Sequence, residues 1–178
     1  RQKAESVGRR LVEKLKTIKP KLKPDDTGAY YCRGGAHLDK GDYDGAIADY
    51  DVVIKLTPDD ANAYLWRGRA LCHKGDPERA VADYFDAAVK SGQKKNVEAK
   101  AVANWITSQL FSLLNESGQE IDQGKVTPEK LVDLIALVGN GAININTGKA
   151  VLAEMFASGQ SAEEIVQAKG LAQVSDTG

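Results

Sequence analysis

Apolar residues recur at every third or fourth position along most of this chain. Val7, Leu11, Leu15 and Ile18 mark one face of a predicted amphipathic helix over residues 2–19, ended by Pro20 and Pro24. Over residues 99–117, Ala103, Ile106, Leu110 and Leu113 form a second stripe, with Trp105 beside it. The stretch "TPEKLVDLIALVGNG" reads as a helix with Thr127 as its cap and Pro128 in its first turn, ending at Gly139-Asn140-Gly141. "NINTGKAVLAEMFASG" gives another, carried by Val151, Leu152, Met155 and Phe156 and stopped by Gly159. Ser161 caps "SAEEIVQAKG", where Glu163 and Glu164 suit the positive start of a helix. No segment alternates as a strand would, so the expected class is all-α.

Between the first two stripes the chain repeats itself. "AYYCRGGAHLDKGDYDGAIADYDVVIKLTPDD" from Ala29 aligns with "AYLWRGRALCHKGDPERAVADYFDAAVKSG" from Ala63. Tyr30 falls over Tyr64, Gly34 over Gly68, Gly41-Asp42 over Gly75-Asp76, Ala46 over Ala80 and Tyr50 over Tyr84, always 34 residues apart. That period and those positions resemble the tetratricopeptide repeat, over roughly residues 27–92. Gly34 and Gly68 allow a paired helix to approach closely. Gly41-Asp42 and Gly75-Asp76 end one helix and start the next. Ala46 and Ala80 are small where a partner helix crosses, and Pro58 begins the connection between repeats. Two repeats are fewer than the three or so that stack stably alone, so the helices before and after are expected to cover the ends.

The resemblance implies a groove lined by the first helix of each pair. Tyr31 and Leu65 would occupy its fifth position, Arg69 its ninth, and Cys72 and His73 its twelfth and thirteenth. The predicted partner-binding residues are therefore Tyr31, Leu65, Arg69 and His73. The lysine and asparagine with which some such domains clamp a peptide carboxylate are missing here.

Charge divides the chain. The net charge of −1 hides an excess of Arg and Lys in residues 1–24, including Arg9, Arg10, Lys14 and Lys16. From Glu98 onward, Lys100, Lys125, Lys130, Lys149 and Lys169 face twice as many carboxylates. Phosphate affinity grows with the cations that contact it, so the basic arm is the stronger electrostatic footprint for nucleic acid. Cys32 and Cys72 form no CxxC pair and no disulfide framework, which points to a reducing compartment: cytoplasm or an organelle, the mitochondrial matrix included, rather than secretion.

Other chemistry finds little support. Cys32, His37, Cys72 and His73 lack zinc-finger spacing, and adjacent Cys72 and His73 belong to different helix faces. Asp49 and Asp83, at equivalent repeat positions, read as solvated surface carboxylates. "GNGAININTGKAV" resembles a phosphate loop only at first sight. Six residues separate Gly141 from Gly148, Ala150 replaces the hydroxyl residue, and a helix rather than a strand precedes it. No cofactor, metal or membrane span is expected.

From about Arg79 onward, the ordered series "ADYFDAAVKSG", "AKAVANWITSQLFSLLNE", "VTPEKLVDLIALVGNGAI", "GKAVLAEMF", "SAEEIVQAKGL" and "QVSD" resembles the C-terminal helical and tail region of GatB, a component of tRNA-dependent amidotransferases. This segment is shared with YqeY-type proteins. The resemblance implies a module that holds the tRNA body. The family's chemistry, conversion of Glu-tRNA(Gln) or Asp-tRNA(Asn) to the amide, belongs to a large domain with no counterpart in these residues. One departure stands out: Asn144-Ile145-Asn146 replaces the family's usual serine, glycine and lysine, removing a cation.

These readings combine into a basic helix (1–25), two tetratricopeptide-like repeats (26–93) and a GatB/YqeY-like helical domain (94–178) whose first helix begins near 79. The expected function is a non-enzymatic adaptor. It would hold tRNA or structured RNA through Arg9, Arg10, Lys14, Lys16, Lys130 and Lys149, and a protein partner through the repeat groove. Its alternatives are a scaffold component using protein contacts only, or a fragment of a GatB-like enzyme lacking its catalytic domain.

Overall fold

The computed structural model describes residues 23–172, which contain helices and no strand. The predicted basic helix, with Arg9, Arg10, Lys14 and Lys16, lies outside the described residues. Four helices form two antiparallel pairs: α1 (Thr27–Asp39) with α2 (Tyr43–Leu56), and α3 (Ala61–Lys74) with α4 (Pro77–Lys94). Next come α5 (Ala99–Trp105), a π turn (Ile106–Leu110) and α6 (Phe111–Ser117) as one continuous rod. Helices α7 (Pro128–Gly139), α8 (Ile145–Ser158) and α9 (Ala162–Lys169) follow. None of the described helices is long and apolar enough to cross a membrane.

Aspartate starts every helix of the repeats. Asp26, Asp42, Asp60 and Asp76 accept hydrogen bonds from the backbone N–H of Ala29, Gly45, Asn62 and Arg79, respectively. Each such cap contributes about 1 kcal/mol. Thr127, Asn144 and Ser161 cap the later helices, and Ser161 with Glu164 forms a full capping box. Gly75, Gly118 and Gly159 take the left-handed conformation that ends α3, α6 and α8.

The repeat glycines are set by packing. A Cβ on Gly34 would stand 3.0 Å from the Tyr50 ring, and one on Gly68 would stand 3.2 Å from Asp83 Cβ. Ala46 and Ala80 are buried at the matching crossings. One hydrophobic core runs from Ala46 through Leu71 and Tyr84 to Leu131, Leu152 and Ile165. Helix α4 packs against both α3 and α7, so the repeats and the later helices share it. The Tyr84 hydroxyl fastens this junction by donating to the Val126 carbonyl at 2.9 Å.

Two sequence expectations are corrected. Asp49 and Asp83 are buried, each 3% exposed, and are not solvated surface acids. Arg33 Nε and Nη2 donate to Asp49 at 2.8 and 2.5 Å. Arg67 Nε and Nη2 donate to Asp83 at 2.9 and 2.6 Å. Both partners of each pair recur at the 34-residue offset. Arg67 also donates to Asp51 at 2.5 Å, which ties the second repeat to the first. The other correction concerns residues 99–117. Val102 and Leu114, not Ala103 and Leu113, are buried with Ile106 and Leu110 in that stripe. Val102, Ile106, Leu110 and Leu114 keep a spacing of four, which lags behind a 3.6-residue period, and the wider π turn takes up the difference.

Candidate functional site

The expected groove divides in two. Its open part is an indentation of about 590 Å³ lined by Leu38, Asp39, Tyr43, Trp66, Arg69 and His73. Arg69 is exposed and lays its guanidinium over Trp66, 4.8 Å from the ring centroid. His73 stacks on Tyr43, with centroids 5.4 Å apart and planes at 15°. Trp66 is itself 36% exposed, large for an apolar side chain in a packed helix. Sequence reasoning named Arg69 and His73 but missed Tyr43 and Trp66. The aromatic at position 66 is four residues before the buried Ala70 and one turn from Arg69, a spacing that could have flagged it.

The other part is covered. Leu65 sits half-buried beside Arg69, Tyr84, Ile121 and Asp122. The loop between α6 and α7 therefore lies across the groove of the second repeat, with Ile121 as its plug at 8% exposure. Tyr31 packs edge-on to Tyr50, with centroids 5.6 Å apart. Burial, and then the Asp60 charge, holds its phenol well above the ordinary value. Tyr31 and Leu65 thus stand apart from the open pair formed by Arg69 and His73. Beneath the loop, burial and then the Asp122 and Glu120 carboxylates push the Cys72 thiol up to about 12.

The two predicted lysines of the later helices differ. Lys149 is exposed on α8, one turn from exposed Ile145 and Asn146. Lys130 is half-buried and donates from Nζ to the Gly159 carbonyl at 2.5 Å, closing the end of α8. Gly148, the glycine of the apparent phosphate loop, is a packing position. A Cβ there would lie 2.6 Å from Val138 Cγ2 and 3.0 Å from Trp105 Cη2. Asn144 caps α8 through the Thr147 N–H, as its place after Gly141 predicts.

Residues 83–178 match the GatB domain, more than half the chain. The chain belongs to the GatB/YqeY family. Tetratricopeptide repeat matches cover residues 21–61 and 31–96 of the same sequence, so both resemblances in the sequence hold. Among related proteins, the chain is similar to the GatB component of the aspartyl/glutamyl-tRNA(Asn/Gln) amidotransferase from Thermodesulfovibrio yellowstonii, 49% identical over 92 residues. That alignment covers 52% of this chain and 18% of the relative. The proteins of the same name from Moorella thermoacetica and Persephonella marina are 49% identical over 80 residues and 46% over 79. These cover 45% and 44% of this chain, and 17% of each relative. The chain thus spans under a fifth of the length of these relatives. The GatB match begins inside α4, at the buried acid that Arg67 holds.

Proposed function

We propose that this protein is a non-catalytic adaptor. Its GatB-type helices hold tRNA or another structured RNA near an amidotransferase-type complex, and its repeats hold a protein partner in the cytoplasm or an organelle. The basic N-terminal residues Arg9, Arg10, Lys14 and Lys16 add phosphate contacts, with Lys149 on α8. The observation that carries this reading is the rigid sharing of α4. It packs on α3 and on α7, and Tyr84 is hydrogen-bonded across the junction. A partner seated on Tyr43, Trp66, Arg69 and His73 would be held at a fixed distance from the GatB surface. Aromatic and arginine side chains of this kind dominate protein interfaces.

A filter-binding titration with tRNA across salt concentrations tests this. Affinity should fall with salt, and replacing Arg9, Arg10, Lys14 and Lys16 with glutamine should lower the slope by roughly 3 to 4. Absence of binding at low salt sinks the RNA role. One observation favours a pure scaffold instead: Lys130 Nζ is engaged by the Gly159 carbonyl, leaving one cation fewer on an acidic domain. In that case tRNA is ignored, and the groove substitution Trp66→Ala still weakens protein partner binding.

A further inference from the structure

The loop between α6 and α7 carries an arrangement that the adaptor reading does not use. Its residues Glu120, Ile121 and Asp122 alternate in direction. Ile121 enters the core, while Glu120 and Asp122 turn to the side where α3 presents Cys72. One ligand atom from each of Cys72, Glu120 and Asp122 lies within 4.8 Å of the other two. The three come from segments some fifty residues apart, so no local spacing could have revealed them.

Acidic residues beside a cysteine are common and need no ligand. What distinguishes this cluster is Asp122. Its side chain is 8% exposed, and its Oδ1 is sealed from solvent without a hydrogen-bond donor. A buried carboxylate oxygen with no donor is costly, and native structures give such groups a partner. The nearest basic group to Oδ2 is His73 Nε2 at 3.9 Å, beyond hydrogen-bond range. Arg69 borders the same space but directs its guanidinium to Trp66. The loop is held in place at both ends. Gly118 ends α6 in the left-handed conformation, and Tyr84 binds the Val126 carbonyl.

We propose that Cys72, Glu120 and Asp122 form a divalent cation site, selective for zinc, that clips the second repeat to the GatB domain. The donor set decides the metal. A sulfur ligand argues against calcium and magnesium, which take oxygen ligands. Zinc accepts sulfur, nitrogen and oxygen together, in a tetrahedron whose ligand atoms are separated by roughly 3.3–3.8 Å for bonds of about 2.0–2.3 Å. The three donor atoms, all within 4.8 Å of one another, would draw together to that range around the cation. His73, whose Nε2 lies 3.9 Å from Asp122 Oδ2, would orient the water that completes the coordination. The cation would satisfy Asp122 Oδ1 and join parts of the chain that no disulfide connects.

The test uses the whole chain, dialysed against chelator and then titrated with zinc chloride or cobalt(II) chloride under reducing conditions. Zinc should bind at one equivalent and raise the melting temperature, while calcium and magnesium should not. Cobalt(II) should show a near-ultraviolet thiolate charge-transfer band. Cys72→Ser should abolish that band. Glu120→Gln, on an exposed position that cannot disturb the core, should weaken zinc binding by more than about 100-fold, beyond what outer-shell partners usually contribute. Circular dichroism confirms that each variant is folded. The proposal is overturned if zinc fails to bind at one equivalent. A cobalt complex without the thiolate band overturns it too, as does unchanged zinc affinity in Glu120→Gln.

Discussion

Asp83→Asn should be among the most damaging single substitutions in the repeats, and more damaging than the equivalent change Asp49→Asn. Asp83 accepts two N–H donors from Arg67, whose side chain is 18% exposed. At about 4 Å and an effective dielectric near 20, the charge attraction is about 4 kcal/mol. Asparagine removes that attraction and can keep only one of the two hydrogen bonds, each worth roughly 1.5–3 kcal/mol when charged. Arg67 retains Asp51, which recovers part of the loss. The expected cost is roughly 2–4 kcal/mol, a large share of the 5–15 kcal/mol that typically holds a domain together. Arg33 is 36% exposed and can turn to water, so Asp49→Asn should cost only about 1–2 kcal/mol. Urea unfolding followed by circular dichroism and by the fluorescence of Trp66 and Trp105 measures both. The paired replacement Arg67→Met with Asp83→Leu should recover most of the loss, because broken buried pairs cost more than absent ones. Equal costs for the two asparagine variants, or no recovery in the double variant, would refute the burial argument.

Other substitutions probe separate parts of the packing. Gly148→Ala places a methyl group 2.6 Å from Val138 and should cost roughly 1–3 kcal/mol by overpacking, read as a lower melting temperature. Tyr84→Phe leaves the Val126 carbonyl without its donor and should cost about 1–2 kcal/mol, with faster hydrogen exchange in residues 118–128 than in α1 and α2. The Glu164 carboxyl is held below its ordinary value of 4.5 by the Ser161 backbone N–H and hydroxyl. Its folded pKa is therefore depressed, so the cap's contribution is present above about 4.5 and is lost as pH falls through the folded value. A carbon-detected NMR titration of that carboxyl giving 4.5 or higher would contradict this.

Much of the fold is legible because local chemistry and tertiary structure agree. The 34-residue offset, the aspartate caps, the left-handed glycines at 75, 118 and 159, and the caps at Thr127, Asn144 and Ser161 all follow from short-range rules. The buried stripe of residues 99–117 keeps Ile106 and Leu110, but its ends move outward by one position each, to Val102 and Leu114, because an ideal helical period leaves no room for a π turn. Asp49 and Asp83 escape a reading in which acids are usually solvated. Yet each lies three residues after a buried alanine and just before a buried tyrosine, on a face the repeat itself marks as inward. The open groove is half legible. Arg69 and His73 are placed by repeat position, but nothing local could announce that a loop fifty residues later would cover Leu65.

Helix α4 has one more consequence, for anyone who would cut this protein apart. The family resemblance begins at Asp83, but the helix begins at Pro77 under the Asp76 cap. A gene trimmed at the start of the match would lose that cap and the first turn. It would also strip Asp83 of Arg67 and uncover the side of α4 that packs on α3. The two ancestries meet inside a single helix with no linker, so the molecule cannot be divided at the point where its relatives begin. Any expressed tail should start upstream of α3, before its Asp60 cap, so that Arg67 and the face of α4 that packs on α3 are retained.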